Sequence, residues 1–146
     1  APASVSAGFS GLSLENGITT SHQLLVEKIF NPISDIFELP EDQLDAFLAL
    51  TSSGPAYIAL IVEALADGAV AAGLPRLLAN QLACKTLYGT SLLLQKKKLH
   101  PGQLKDMVAS PGGTTITALR HLEKAGVRSA LMEAVVAAAE RSRELA

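Results

Sequence analysis

The sequence has no tryptophan, a single cysteine and only 4% aromatic residues. Because 49% of it is nonetheless hydrophobic, its interior must be built from alanine, leucine, valine and isoleucine, small enough to let helices approach closely. One thiol, Cys84, excludes an internal disulfide and fits a reducing compartment. Positive charge is not in excess: 12 basic against 14 acidic residues give a net charge of −2, which argues against nucleic-acid binding. The first twenty residues carry no lysine, no arginine and no unbroken apolar run, so no secretory signal is visible. The most membrane-like stretch, Pro55 to Ala72, contains Glu63 and Asp67 and lacks a basic flank on its N-terminal side. It reads as a buried helix of a soluble, cytoplasmic protein rather than a membrane span.

Several catalytic signatures are missing too. No two glycines stand two apart, so the dinucleotide fingerprint G-x-G-x-x-G is absent, as is the nucleophile elbow G-x-S-x-G. His22, His100 and His121 lie far apart without partners at ligand spacing, and no metal site is expected. Cys84, among Leu82, Ala83 and Leu87, reads as an inert core thiol. Glu63 and Asp67 share a helix face and read as a polar strip or an interface contact.

What is present falls into two textures. Residues 1–40 read as strand, helix, strand: GFSGLSL (Gly8 to Leu14) bounded by Glu15-Asn16-Gly17, a helix from Thr20 to Phe30, and a second strand from Asp35 to Leu39. Thr20 and Gln23 have capping-box spacing. Such a unit cannot hold a sheet alone and resembles the edge of a larger one.

From residue 41 onward the chain reads as helices only. Pro40 with Glu41 and Asp42 opens one, which stops near Ser52-Ser53-Gly54-Pro55. The next, to Ala72, is apolar almost all round and must be covered on every side, which calls for a second copy of the chain. Gly73 stops it and Pro75 opens a helix to Lys98, with Lys96 to Lys98 as its solvated, cationic end. Further helices are expected from Pro101 to Ala109, from Ile116 to Ala125 and from Val127 to Glu144.

The segment SPGGTTI, Ser110 to Ile116, stands out. Pro111 holds Ser110 extended, while Gly112 and Gly113 can take positive φ and bring a ligand onto the backbone. Thr114 or Thr115 suits the N-cap of the following helix. Two readings stay open from the residues alone. One is a tight helix corner; the other is a cluster of free N–H groups and hydroxyls that binds a carboxylate or phosphate. TSSGPAY, Thr51 to Tyr57, is fully explained as a helix cap.

Taken together, SSGPAYIALIVEALADGAVAAGLPR and HPGQLKDMVASPGGTTITALRHLEKAGVRSALMEAV closely resemble the C-terminal half of the pyrroline-5-carboxylate reductases. The resemblance covers nearly all of residues 40 to 146. It implies a mainly α fold: an interlocked helical-bundle dimerisation domain of the 6-phosphogluconate-dehydrogenase C-terminal-like type at 41–146. Residues 1–40 would be a βαβ remnant of a truncated Rossmann domain. It implies reduction of 1-pyrroline-5-carboxylate to L-proline with NADP or NAD as cofactor, bound by a domain outside this chain. The isolated chain is then expected to be inactive.

The resemblance also implies a homodimer through the helical domain, assembled into decamers in several members, and a small imino-acid substrate. Residue by residue, Ser110, Gly112, Gly113, Thr114 and Thr115 would form the substrate loop. Backbone N–H groups and Ser110 would hold the carboxylate, and the catalytic contact of Thr115 would be a hydrogen bond to the ring nitrogen. The chain departs from the family before His100, where Lys98 and Leu99 stand in place of a common acidic residue. The alternative, in another class, is a non-catalytic homodimerisation module.

Overall fold

The N-terminal strand-helix-strand reading holds with shifts of one or two residues. In the computed structural model, which describes residues 2–14 and 19–145, β1 (Gly8–Leu12) and β2 (Ser34–Glu38) form a parallel two-stranded sheet joined through α1 (Thr20–Phe30). The turn expected at Glu15-Asn16-Gly17 lies outside the described residues. Gly8 pairs with Ser34 and Gly11 with Phe37. On one face, Ser10 Oγ and Ser34 Oγ lie 2.7 Å apart, and the Ser34 hydroxyl also donates to the Phe30 carbonyl at 3.2 Å. On the other, the Phe37 ring stands 6.3 Å from Phe9 and 6.0 Å from Phe47. Gly11 makes a close approach here. A Cβ at this position would meet the Phe47 ring at 3.1 Å and Leu44 at 3.2 Å, so its absence lets α2 (Leu44–Thr51) lie against β1. The expected capping box at Thr20 does not form. Thr19 is the N-cap, and its hydroxyl meets Ser21 Oγ at 2.7 Å instead.

Beyond α2 the described chain consists of α3 (Gly54–Ala71), α4 (Arg76–Lys97), α5 (Pro101–Val108), α6 (Thr114–Lys124) and α7 (Val127–Leu145). Pro40 precedes a 3-10 turn, Glu41–Gln43, rather than opening an α-helix directly. Glycine and proline set the remaining boundaries. Gly73, at φ +105, ends α3 in a Schellman arrangement: Leu74 N–H donates to Ala69 O at 3.0 Å and Gly73 N–H to Val70 O at 2.9 Å. α4 ends in the same way on Lys98, a non-glycine residue at φ +50. Lys98 is therefore the left-handed cap of that helix and not part of its last turn.

The chain folds as two compact units, Ala1–Tyr57 with Met132–Ala146, and Ile58–Leu131. In the first, Tyr57 donates its hydroxyl to the Ala134 carbonyl at 3.4 Å, and Ala49 and Ala139 are buried. In the second, Ala66, Ala79 and Ala83 form the centre, flanked by Val62, Ala69 and Val70. Every buried hydrophobic residue described is an alanine.

Large apolar side chains lie open instead: Ile58, Leu60 and Leu65 of α3 are 49%, 66% and 48% exposed, and Leu77 and Tyr88 of α4 are 80% and 70% exposed. Cys84, expected in the core, is exposed as well. The stretch Glu41–Ala71 is long and apolar enough to cross a membrane, with mean hydropathy 1.5. It is broken at Ser52-Ser53 between α2 and α3. It also carries Glu63 and Asp67, the latter 2.5 Å from Arg76 Nη1, and such charges are costly in lipid.

Candidate functional site

The loop between α5 and α6 is a tight turn, and its sequence explains each step. Pro111 occupies the second position and Gly112, at φ +66, the third; Gly113 N–H then donates to Ser110 O at 3.0 Å. This is the type II pattern of proline followed by a residue at positive φ. Gly113 behaves differently from the expectation. Its φ is −77, and it is the N-cap of α6, with Thr114 and Thr115 as the first two helical residues. The helix thus begins two residues earlier than Ile116. A glycine carbonyl can accept the first intrahelical bonds without any side chain: Thr117 donates to Gly113 O through both N–H, at 3.2 Å, and hydroxyl, at 2.9 Å. Gly113 also leaves room for the Ser110 side chain as placed. A Cβ there would collide with the Ser110 hydroxyl and come within 3.2 Å of its carbonyl.

The turn therefore folds Ser110 back over the start of α6. The N–H groups of Thr114, Thr115 and Ile116 precede the first intrahelical bond and find no acceptor in their own helix. The N-cap supplies no side-chain bond. All the sequence-derived site residues (Ser110, Gly112, Gly113, Thr114 and Thr115) are brought together at this end. An open N-terminus of this kind carries a partial positive charge and three donors, the chemistry that suits a carboxylate.

A cleft of about 690 Å³ opens between α5 and α6 beside the loop, with Ile116 and Thr117 in its wall. Its charged groups are Lys105, Asp106, Arg120 and Glu123, which balance one another, so the cleft has no preference of sign. At its far end Glu123 accepts from Arg128 in a two-pronged pair, 2.6 Å to Nη2 and 3.4 Å to Nε. The Arg128 hydrogen bond, and then its charge, hold the Glu123 carboxyl below the usual carboxylate range; the same pair raises Arg128.

The remaining candidates do not converge. Asp67 is paired with Arg76, and Glu63 lines an α3–α4 groove with Cys84. Among the described residues no three His, Cys, Asp or Glu side chains group as metal ligands. TSSGPAY works as a helix junction: Thr51 Oγ1 donates to Phe47 O at 2.7 Å and Ala56 N–H to Ser53 O at 3.0 Å.

Sequence reasoning missed one residue. His100 is the N-cap of α5, its Nδ1 accepting from Gly102 N–H at 3.1 Å while Gln103 Oε1 accepts from His100 N–H at 3.0 Å. The available signal was glutamine three residues after the cap position, with proline between them at the first helical position.

A helical region that leaves its large apolar side chains open has the character of a subunit-pairing domain. The chain belongs to the pyrroline-5-carboxylate reductase dimerisation family, which matches residues 41–145. It is 46% identical over 144 residues to the pyrroline-5-carboxylate reductase of Synechocystis sp., covering 99% of this chain and 54% of that protein. With that of Arabidopsis thaliana the identity is 51% over 144 residues, 99% of this chain and 52% of the relative.

Two solved structures are similar along nearly the whole chain. Plasmodium falciparum pyrroline carboxylate reductase, with NADP bound, superposes with a TM-score of 0.93 at 34% identity, over 98% of this chain and 58% of that one. The Coxiella burnetii pyrroline-5-carboxylate reductase gives 0.93 at 35%, over 100% and 54%. The chain spans about half the length of the curated relatives it matches.

Proposed function

We propose that these residues are the dimerisation and substrate-binding part of a cytoplasmic reductase that converts 1-pyrroline-5-carboxylate to L-proline with NADP or NAD as cofactor. The observation that carries the reading is the family match across 41–145 together with the open start of α6. In this reading 41–146 is the helical dimerisation domain and 1–40 the trailing strand-helix-strand of a nucleotide-binding domain. The exposed apolar residues of α3 and α4 support pairing with a second copy. Pairing of dimers into a decamer belongs to the same proposal.

The dinucleotide's phosphates do not fit the residues in hand. The connection from β1 to α1 has one glycine, Gly17, where a fingerprint needs three, so the hydride donor is assigned to a domain outside this chain. The chain's own part is binding and orientation. The N–H groups of Thr114, Thr115 and Ile116, with the Ser110 hydroxyl, hold the carboxylate; the Thr115 hydroxyl hydrogen-bonds the ring nitrogen. Fixing the ring in one pose is most of what hydride delivery to a C=N bond asks of the protein.

The test is NADPH and NADH oxidation with pyrroline-5-carboxylate, using the full-length gene product and residues 1–146 separately. Turnover is expected only from the former. Robust turnover by residues 1–146 would overturn the division of labour. Dimers without turnover in the full-length product would favour the non-catalytic pairing module. In the full-length product, Thr115→Ala is expected to lower kcat/KM by about tenfold to a hundredfold with the dimer intact on gel filtration.

A further inference from the structure

The first turn of α5 is closed by one residue. Pro101 has no N–H; Gly102 donates to the His100 imidazole at 3.1 Å; Gln103 and Leu104 donate to the His100 carbonyl at 2.9 and 3.3 Å. The N–H of His100 itself goes to the Gln103 side chain at 3.0 Å. No donor of that turn is left over. α5 has only 8 residues, well below the length at which a helix is stable by itself, so packing beside α4 and α6 and the closure of its ends must hold it together.

The other end runs straight into the site. Ala109 caps α5, its N–H directed to Asp106 O at 3.4 Å, and the next residue, Ser110, supplies both the carbonyl that closes the turn and the hydroxyl folded over Gly113. No linker lies between the latch and the loop.

We propose that His100 is a positioning residue for the loop from Ser110 to Thr115: by closing the first turn of α5 it sets the orientation from which Ser110 and the open end of α6 are presented. The consequence for catalysis rests on the functional reading above; the consequence for loop order does not. The imidazole acts through an acceptor nitrogen, so asparagine, whose side-chain oxygen accepts in the same way, replaces it, whereas alanine does not.

The experiment compares full-length wild type, His100→Ala and His100→Asn. Loss of the cap in His100→Ala is expected to speed amide exchange in segments 101–104 and 110–117 about fivefold. KM for pyrroline-5-carboxylate is expected to rise by about the same factor, with kcat and the KM for NADPH held within about twofold. His100→Asn returns both readouts to near wild type. Unchanged exchange at 110–117 in His100→Ala overturns the proposal. So does a fall in kcat with KM unchanged, because that reports lost folded enzyme rather than a displaced loop. Should His100→Ala fail to fold, Gln103→Ala, which removes only the reciprocal bond, carries the same readouts with smaller changes in the same direction. A wild-type protein without turnover sinks the functional reading alone, and the exchange measurement then decides the latch.

Discussion

Two helices begin on either side of the turn at Ser110, and they begin in opposite ways. At α5 a side chain and a carbonyl of one residue, His100, meet every donor of the first turn. At α6 the cap is a glycine with no side-chain bond, and three N–H groups face outward. Capping satisfies donors and adds stability; leaving them open leaves a partial positive charge at the helix end. The pair shows two ways of starting a helix within one short segment: one end is closed by a side chain and the other is left without one.

The comparison breaks most sharply if the open end is filled from within. Thr114→Asp places a carboxylate among the free N–H groups. We expect stability to rise by about 0.3–1 kcal/mol while KM for pyrroline-5-carboxylate rises at least about tenfold, since like charges now compete for one site. Thermal unfolding and steady-state kinetics on the same variant check both halves, and a weaker fold with unchanged KM would count against an anion site. Gly112→Ala tests the turn that exposes the end. An alanine at φ +66 costs roughly 1–2 kcal/mol, measurable as a lower denaturation midpoint.

The smallest effect belongs to the Glu123–Arg128 pair, which ties the end of α6 to the start of α7. Arg128 lowers the Glu123 carboxyl through its hydrogen bond and then its charge. A carboxyl lowered on folding contributes stability above its ordinary range and loses it as pH falls through the lowered value. An NMR titration of Glu123 should therefore move upward, toward the ordinary range, in Arg128→Ala.

Much of this region was legible residue by residue. Proline and glycine restrict or free φ locally, so the end of α3 at Gly73 followed from the local sequence. The candidate loop could be singled out for the same reason. The start of α6 was missed because a glycine can cap through its carbonyl, which leaves both threonines inside the helix. His100 was missed because histidine is not among the usual capping residues; only the Pro101 and Gln103 context marks it. The box expected from Thr20 and Gln23 did not form, and hydroxyl pairing between Thr19 and Ser21 took its place.

The run of apolar residues along α3 determined that this helix carries apolar surface on nearly every side, because side-chain direction turns with the helix whatever surrounds it. The choice of what those surfaces bury is a matter of packing between distant segments, and only the tertiary structure decided it. Within the chain, alanines meet alanines, while Leu60, Leu65, Leu77 and Cys84 stay open. The loop divides in the same way. Its glycines and proline made a sharp turn certain from local sterics alone, but the setting of that turn, closed at α5 and open at α6, depends on bonds formed only once the helices are in place.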